Sequence, residues 1–205
     1  MHPERSVCFT MENTKEFIIE EAYKLFLNHS YEAVSISDIS KAIGLTKGAL
    51  YHHFKNKEEL FISVIDKYVL LPEITSDIET LSLKEFIELS IAQTDKFIKA
   101  LFGLSLVIKP IYYISLMSDA FRHYPGYAES KGAFINDEIE KTKIVLENAI
   151  KSGEIRSDIN PSLIATNFFS IDMGFAGNLV RNNSPEEAIE LLKEQNWEFY
   201  KLLKK

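Results

Sequence analysis

The chain has 205 residues, 46% hydrophobic and 26% charged, with 30 acidic against 23 basic side chains and a net charge of −7. This composition gives no sign of disorder and supplies enough apolar residues for one or two packed domains, and with only 8 Gly and 6 Pro the expected fold class is all-α. The single Cys8 excludes an intramolecular disulfide and fits a reducing cytoplasm; the N-terminus shows no export signal.

Residues 1–10 have no periodicity and read as an arm. The pattern Asn13-Thr14-Lys15-Glu16 predicts a capped helix over about Thr14–Asn28, with Ile18, Ala22, Leu25 and Phe26 on one face. Ser35 stands three residues before Asp38, the spacing of a capping box, so a second helix starts near Ile36. Ile39, Ala42 and Ile43 form its apolar face, and Gly44 supplies the left-handed residue that ends it. Thr46 caps a third helix, Lys47–Phe54. At helical spacing Lys47, Gly48, Tyr51 and His52 share one side, and Ala49, Leu50 and His53 the other. Between Ile39 and Lys57 lie four lysines (Lys41, Lys47, Lys55, Lys57) and no acid, although the chain as a whole is acidic. A local cationic stretch over a helix-turn-helix suits a duplex, whose phosphates attract Lys while a few side chains on an inserted helix read base edges.

The run from Ile36 to Leu60, ISDISKAIGLTKGALYHHFKNKEEL, resembles the DNA-binding signature of the tetracycline-repressor (TetR) family of transcriptional regulators. Ser30 departs from the family's usual Gly, whereas Tyr31 keeps its aromatic. The resemblance implies a helix-turn-helix DNA-binding domain over 12–72, with its motif at 35–54, joined by a long helix to a ligand-binding and dimerisation domain over 73–205. It also implies a homodimer on a palindromic, double-stranded DNA operator, released by a small-molecule effector. By the same carry-over Lys47, Gly48 and Tyr51 would lie at base edges and backbone, and Ser35, Thr46, His53 and Lys57 would hold phosphates. Ser37, His52 and Lys55 complete the expected DNA-binding set.

After Lys57, Leu60, Phe61, Val64, Ile65, Tyr68 and Leu71 predict a helix running to Pro72, long enough to act as a lever. Pro72–Ser82 reads as a linker, with Ser82 capping the next helix. Further helices are expected near 83–107, 110–123, 125–152, 161–181 and 184–203, four of them opening at or near a proline. The charge-poor window from Ile159 to Val180 holds too many polar groups for a lipid span, so no membrane partner is expected. Its apolar residues lie nearly all round the helix, which predicts burial on several sides and, with Gly174, Ala176 and Gly177, a homodimer through the helices near 161–181 and 184–203; a helix buried in the core of a monomer is the alternative. The aromatic and sulfur side chains Phe102, Tyr112, Tyr113, Met117, Phe121 and Phe134, with Phe168, Phe169 and Asp172, form the candidate ligand-binding set; plain core packing accounts for the aromatic members equally well. For Asp172 a hydrogen bond from Ser170 or a neighbouring Tyr, or a contact across the dimer interface, is the alternative to a ligand. No enzyme motif and no metal-spaced Cys/His cluster occurs, so no cofactor is expected. The sequence therefore reads as a ligand-responsive transcriptional regulator, a repressor; the alternative is a DNA-binding protein without a ligand, controlled by a partner or purely architectural.

Overall fold

The computed structural model describes residues 11–69, 77–103, 109–182 and 184–205. The arm at 1–10, and Leu71 and Pro72 at the expected end of the lever, lie outside them. Every regular element among the described residues is helical: α1 (Met11–Asn28), a 3-10 turn (Tyr31–Ala33), α2 (Ile36–Ile43), α3 (Lys47–Tyr51), α4 (Lys57–Tyr68), α5 (Leu83–Gly103), α6 (Pro110–His123), α7 (Tyr127–Ser152), α8 (Pro161–Asn182) and α9 (Pro185–Leu203). The prolines fall where a missing amide costs least, at the first residue of α6, α8 and α9. Gly44 (φ +69°) and Gly153 (φ +78°) end α2 and α7 in the left-handed conformation. Several bounds differ from expectation. α1 begins at Met11, before Asn13, α3 ends at Tyr51 and not Phe54, α7 begins at Tyr127, and α4 ends at Tyr68 with Val69 at its C-cap, a 12-residue helix about 18 Å long.

The chain divides into two compact units. The N-terminal unit is built on Ile18, Ala22 and Phe26 of α1, Ile39 and Ile43 of α2, Leu50 of α3 and Leu60, Phe61 and Val64 of α4, all buried. Leu25 is only half-buried; Ile19, Tyr23 and Leu27 are buried in addition, because α1 packs against both α2 and α4. Tyr23, for instance, stacks on Tyr68 of α4 at 4.0 Å. Ser30, which enters the 3-10 turn, has φ −61° and ψ 155°, a conformation open to any residue, so the fold does not need the family's glycine there. Tyr112–Pro125, most of α6, also belongs to this unit, although the sequence assigns it with the second domain; Leu116 and Ala120 are fully buried.

The larger unit consists of α5, α7, α8 and α9. One apolar cluster joins Leu83, Phe86 and Ile87 to Val145, Leu146, Phe168 and Leu203; a second joins Ile98 to Phe175, Leu179, Ile189 and Leu192. α8 is long and apolar enough to cross a membrane by length and composition alone (mean hydropathy 1.2), yet Ala165, Phe168, Phe175 and Leu179 pack it into these clusters. Burial on several sides is not what the single chain shows: Leu163, Thr166, Asn167, Ser170, Met173, Gly174, Gly177 and Val180 form an exposed stripe along the opposite face.

Candidate nucleic-acid interface

The capping box forms as its spacing predicts. The Asp38 amide donates to Ser35 Oγ at 3.2 Å, and the Ser35 amide and hydroxyl donate to the Asp38 carboxylate at 3.0 and 2.5 Å. These bonds from Ser35, hydroxyl first and amide second, hold the Asp38 carboxyl below its ordinary pKa. They also occupy both the N–H and the O–H of Ser35, so its part is to open α2, and the expected phosphate contact would have to break the box. The turn after α2 is fixed from inside. The Leu45 amide donates to the Ser40 carbonyl at 3.1 Å, and the buried Ser40 hydroxyl donates to the Leu45 carbonyl at 3.0 Å. Sequence reasoning passed over Ser40; a Ser five residues before the residue it holds carries no local signature.

Thr46 Oγ1 accepts the Ala49 amide at 3.1 Å and starts α3. Leu50 is fully buried against the core, which turns Lys47, Gly48, Tyr51 and His52 outward, with Tyr51 51% exposed, while Ala49 and His53 are half-buried. Helical spacing places the same four residues on one side of the helix. Ser37 is half-buried in the first turn of α2, and Lys55 is exposed just beyond α3. Asn56, unremarked in the sequence, caps α4 by accepting the Glu59 amide at 2.8 Å, while the Glu59 carboxylate accepts the Lys55 amide at 2.7 Å. Lys57 differs most from expectation. Its ammonium donates inward, to the carbonyls of Tyr31 at 2.9 Å and Val34 at 3.1 Å, and lies 3.9 Å from the centre of the Tyr31 ring.

The candidate ligand set is split by the fold. Tyr112, Tyr113, Met117 and Phe121 belong to the N-terminal unit, and Phe134, Phe168, Phe169 and Asp172 to the larger one; the side chain of Phe102 lies outside those described. Tyr113 is buried and points its hydroxyl at the Tyr68 carbonyl (3.5 Å), Phe121 is half exposed, and Phe168 packs edge-on against Phe199 at 4.8 Å. Core packing thus engages Tyr113 and Phe168. Asp172 is half-buried, and its partner is the buried Asn196 of α9, whose amide reaches Oδ1 at 3.5 Å; Ser170 instead donates to the Thr166 carbonyl. Burial raises the Asp172 carboxyl to about 6; the Asn196 hydrogen bond opposes it, and the nearby Glu138 adds a lesser upward push. The folded carboxyl therefore titrates above the unfolded one. Its contribution favours the fold below the ordinary value of 3.8 and is lost as pH rises through about 6. Asp172→Asn is accordingly expected to stabilise the protein at pH 7.5, by on the order of 1–2 kcal/mol, and to change little near pH 4. Urea denaturation at the two pH values measures this; destabilisation at pH 7.5 would mean the charged form is held by a group other than Asn196.

No group of three or more His, Cys, Asp or Glu side chains among the described residues is arranged to hold a metal ion. The profile of the family described as "Bacterial regulatory proteins, tetR family" matches residues 18–64. The chain is similar to the HTH-type transcriptional repressor ComR of Escherichia coli (strain K12), 42% identical over 55 residues that cover 27% of this chain and 26% of that protein. The match therefore spans about a quarter of that curated relative's length. Among solved structures, MexZ, a repressor of Pseudomonas aeruginosa, is similar over 95% of this chain and 96% of its own, with a TM-score of 0.67 at 14% identity. NalD, the secondary repressor of the MexAB-OprM multidrug efflux pump in the same organism, is similar over 92% and 95%, with a TM-score of 0.63 at 19% identity. At such identities the two structures share the fold.

Proposed function

Because the chain belongs to the TetR family of bacterial regulatory proteins, a family of DNA-binding regulators and not of enzymes, we propose that it is a sequence-specific repressor that inserts α3 into the major groove of a palindromic operator. One observation carries this reading: Lys47, Gly48, Tyr51 and His52 face outward from a helix pinned behind by Leu50 and capped at its start by Thr46. A small exposed residue beside a cation and an aromatic lets the backbone approach the duplex while the longer side chains reach base edges. Lys55 and His53, beyond and beside that face, are suited to phosphate. The protein acts in the cytoplasm as a homodimer, joined through the exposed stripe of α8 and the adjoining α9, which brings two heads to two half-sites. The repressor names of ComR, MexZ and NalD support repression as the outcome.

Selection of duplexes from a random pool tests the reading and yields the operator. On that operator Lys47→Ala is expected to relax preference at one base position by about 1–3 kcal/mol, with little change on random DNA. Equal loss on both, measured by fluorescence anisotropy, would remove Lys47 from the reading face.

Release by a small-molecule effector is part of the proposal, with Phe134, Phe169 and Asp172 in the larger unit as its candidate contacts. The packing contacts that engage Tyr113 and Phe168 favour a second reading, a regulator without an effector, controlled by a protein partner or purely architectural. A thermal-shift screen of small molecules separates the two, since a bound effector raises the melting temperature by mass action.

A further inference from the structure

Tyr31 lies in the 3-10 turn that leads from α1 into α2, and its amide, carbonyl and ring are each held from elsewhere in the N-terminal unit. Its amide donates to Asp119 Oδ2 of α6 at 2.7 Å, a contact spanning 88 positions of sequence. Its carbonyl accepts the Lys57 ammonium of α4, which also bridges to the Val34 carbonyl and so ties both sides of the turn. Its ring stacks on the His123 imidazole at 4.2 Å with an interplanar angle of 21°, meets Phe61 edge-on at 4.7 Å and takes the Lys57 ammonium at 3.9 Å. Around this clasp, His123 Nε2 lies 3.4 Å from the Glu32 carboxylate, and Arg122 lies 3.7 Å from Asp119 Oδ1.

Two features make the clasp more than ordinary packing. Asp119 is 5% exposed, and a buried carboxylate is expensive unless a charge-assisted hydrogen bond satisfies it; an apolar residue at this position of α6 would avoid that cost but leave the Tyr31 amide unmet. Lys57, in turn, commits its cation to two backbone carbonyls and a ring, beside a helix-turn-helix where a free ammonium would be useful on phosphate. Val34, the last residue before the Ser35 cap, is one of the two carbonyls. What the clasp fixes is therefore the backbone that sets the direction of α2 and, through the Gly44 turn, of α3.

We propose that Asp119 and Lys57 are positioning residues for operator binding, which hold the turn at Tyr31 so that α2 and α3 present a fixed reading face. The proposal rests on the DNA-binding reading and assigns Lys57 an internal task in place of a phosphate contact. Hydrogen exchange and DNA binding by the full-length protein test it. In the free protein, Asp119→Leu and Lys57→Met should each speed amide exchange over 30–36 by about tenfold or more, as expected when a local opening becomes easier. On the selected operator both should weaken binding by about tenfold or more with an unchanged dependence on salt, because no phosphate contact is lost. Asp119→Asn, which keeps an oxygen to accept the Tyr31 amide, should stay within about threefold of the parent in both measurements. Lys57→Met with parental exchange and a salt slope lower by about one would make Lys57 a phosphate contact and overturn the proposal. So would faster exchange with unchanged operator affinity, or unchanged exchange in Asp119→Leu; if that variant does not fold, Lys57→Met alone decides. A parent chain that selects no duplex overturns the DNA-binding reading itself, a result independent of the exchange data.

Discussion

Gly177→Leu is expected to leave a folded monomer that has lost operator binding. Gly177 is exposed in the middle of α8, and a Cβ added there meets no atom of the chain within 4 Å. Within one chain the substitution should even help, since Leu is favoured over Gly in a helix interior by about 1 kcal/mol. Any loss must then arise from another surface that approaches α8 closely. The stripe through Leu163, Met173, Gly174, Gly177 and Val180, with Leu163 59% and Met173 48% exposed, is apolar and small-residued enough to be that contact. A Leu side chain would hold two such backbones apart. Sedimentation should show monomers at concentrations where the parent is dimeric, far-UV dichroism should be undiminished, and operator affinity should fall by about 100-fold or more, because half-sites one helical turn apart are bound jointly only by linked heads. A Gly177→Leu protein that remains dimeric would move the interface off this stripe.

Glu154→Ala is expected to cost about 3 kcal/mol of stability, or roughly 6–12 °C in melting temperature. The Glu154 carboxylate, just past the end of α7, accepts the amides of Leu83 and Lys84 at 3.0 Å each and the Tyr200 hydroxyl at 2.9 Å. It thereby caps α5 from a distant part of the chain and ties in α9. Removal leaves a buried phenol and the Leu83 amide without their acceptor, while the Ser82–Glu85 capping box still serves the amide of Glu85. The Tyr200 phenol is pushed up to about 12, by burial first and by the Glu154 bond second. Its contribution is complete below the ordinary value of 10.0 and is lost as pH rises through about 12. Urea denaturation at pH 7.5 measures the main effect; a loss below about 0.5 kcal/mol would show that Glu154 is not the staple of this unit.

Much of the helix-turn-helix was legible because its determinants are local. A capping box, a Gly stop and a Thr cap each act between residues no more than five apart, so Ser35 with Asp38, Gly44, and Thr46 with Ala49 could be read directly, and helical periodicity separated Leu50 from Lys47 and Tyr51. Periodicity also marked which faces are apolar, but it carries no information on what covers them. It could not show that α6 joins the N-terminal unit, or that the apolar surround of α8 divides into a face packed in the chain and a face left exposed. Charge was similarly ambiguous: a Lys after a recognition helix and an Asp in an apolar helix have the same sequence appearance whatever their partners. Lys57 turned inward to Tyr31 and Val34, Asp119 reached Tyr31, Glu154 reached Leu83, and Asp172 met Asn196. The sequence by itself determined most of the helices, the local caps at Ser35 and Thr46 and the outward side of α3, since these depend on bonds and spacing between near neighbours; only the tertiary structure decided which polar groups are engaged internally, since a buried donor or acceptor is satisfied by whatever the packing brings beside it.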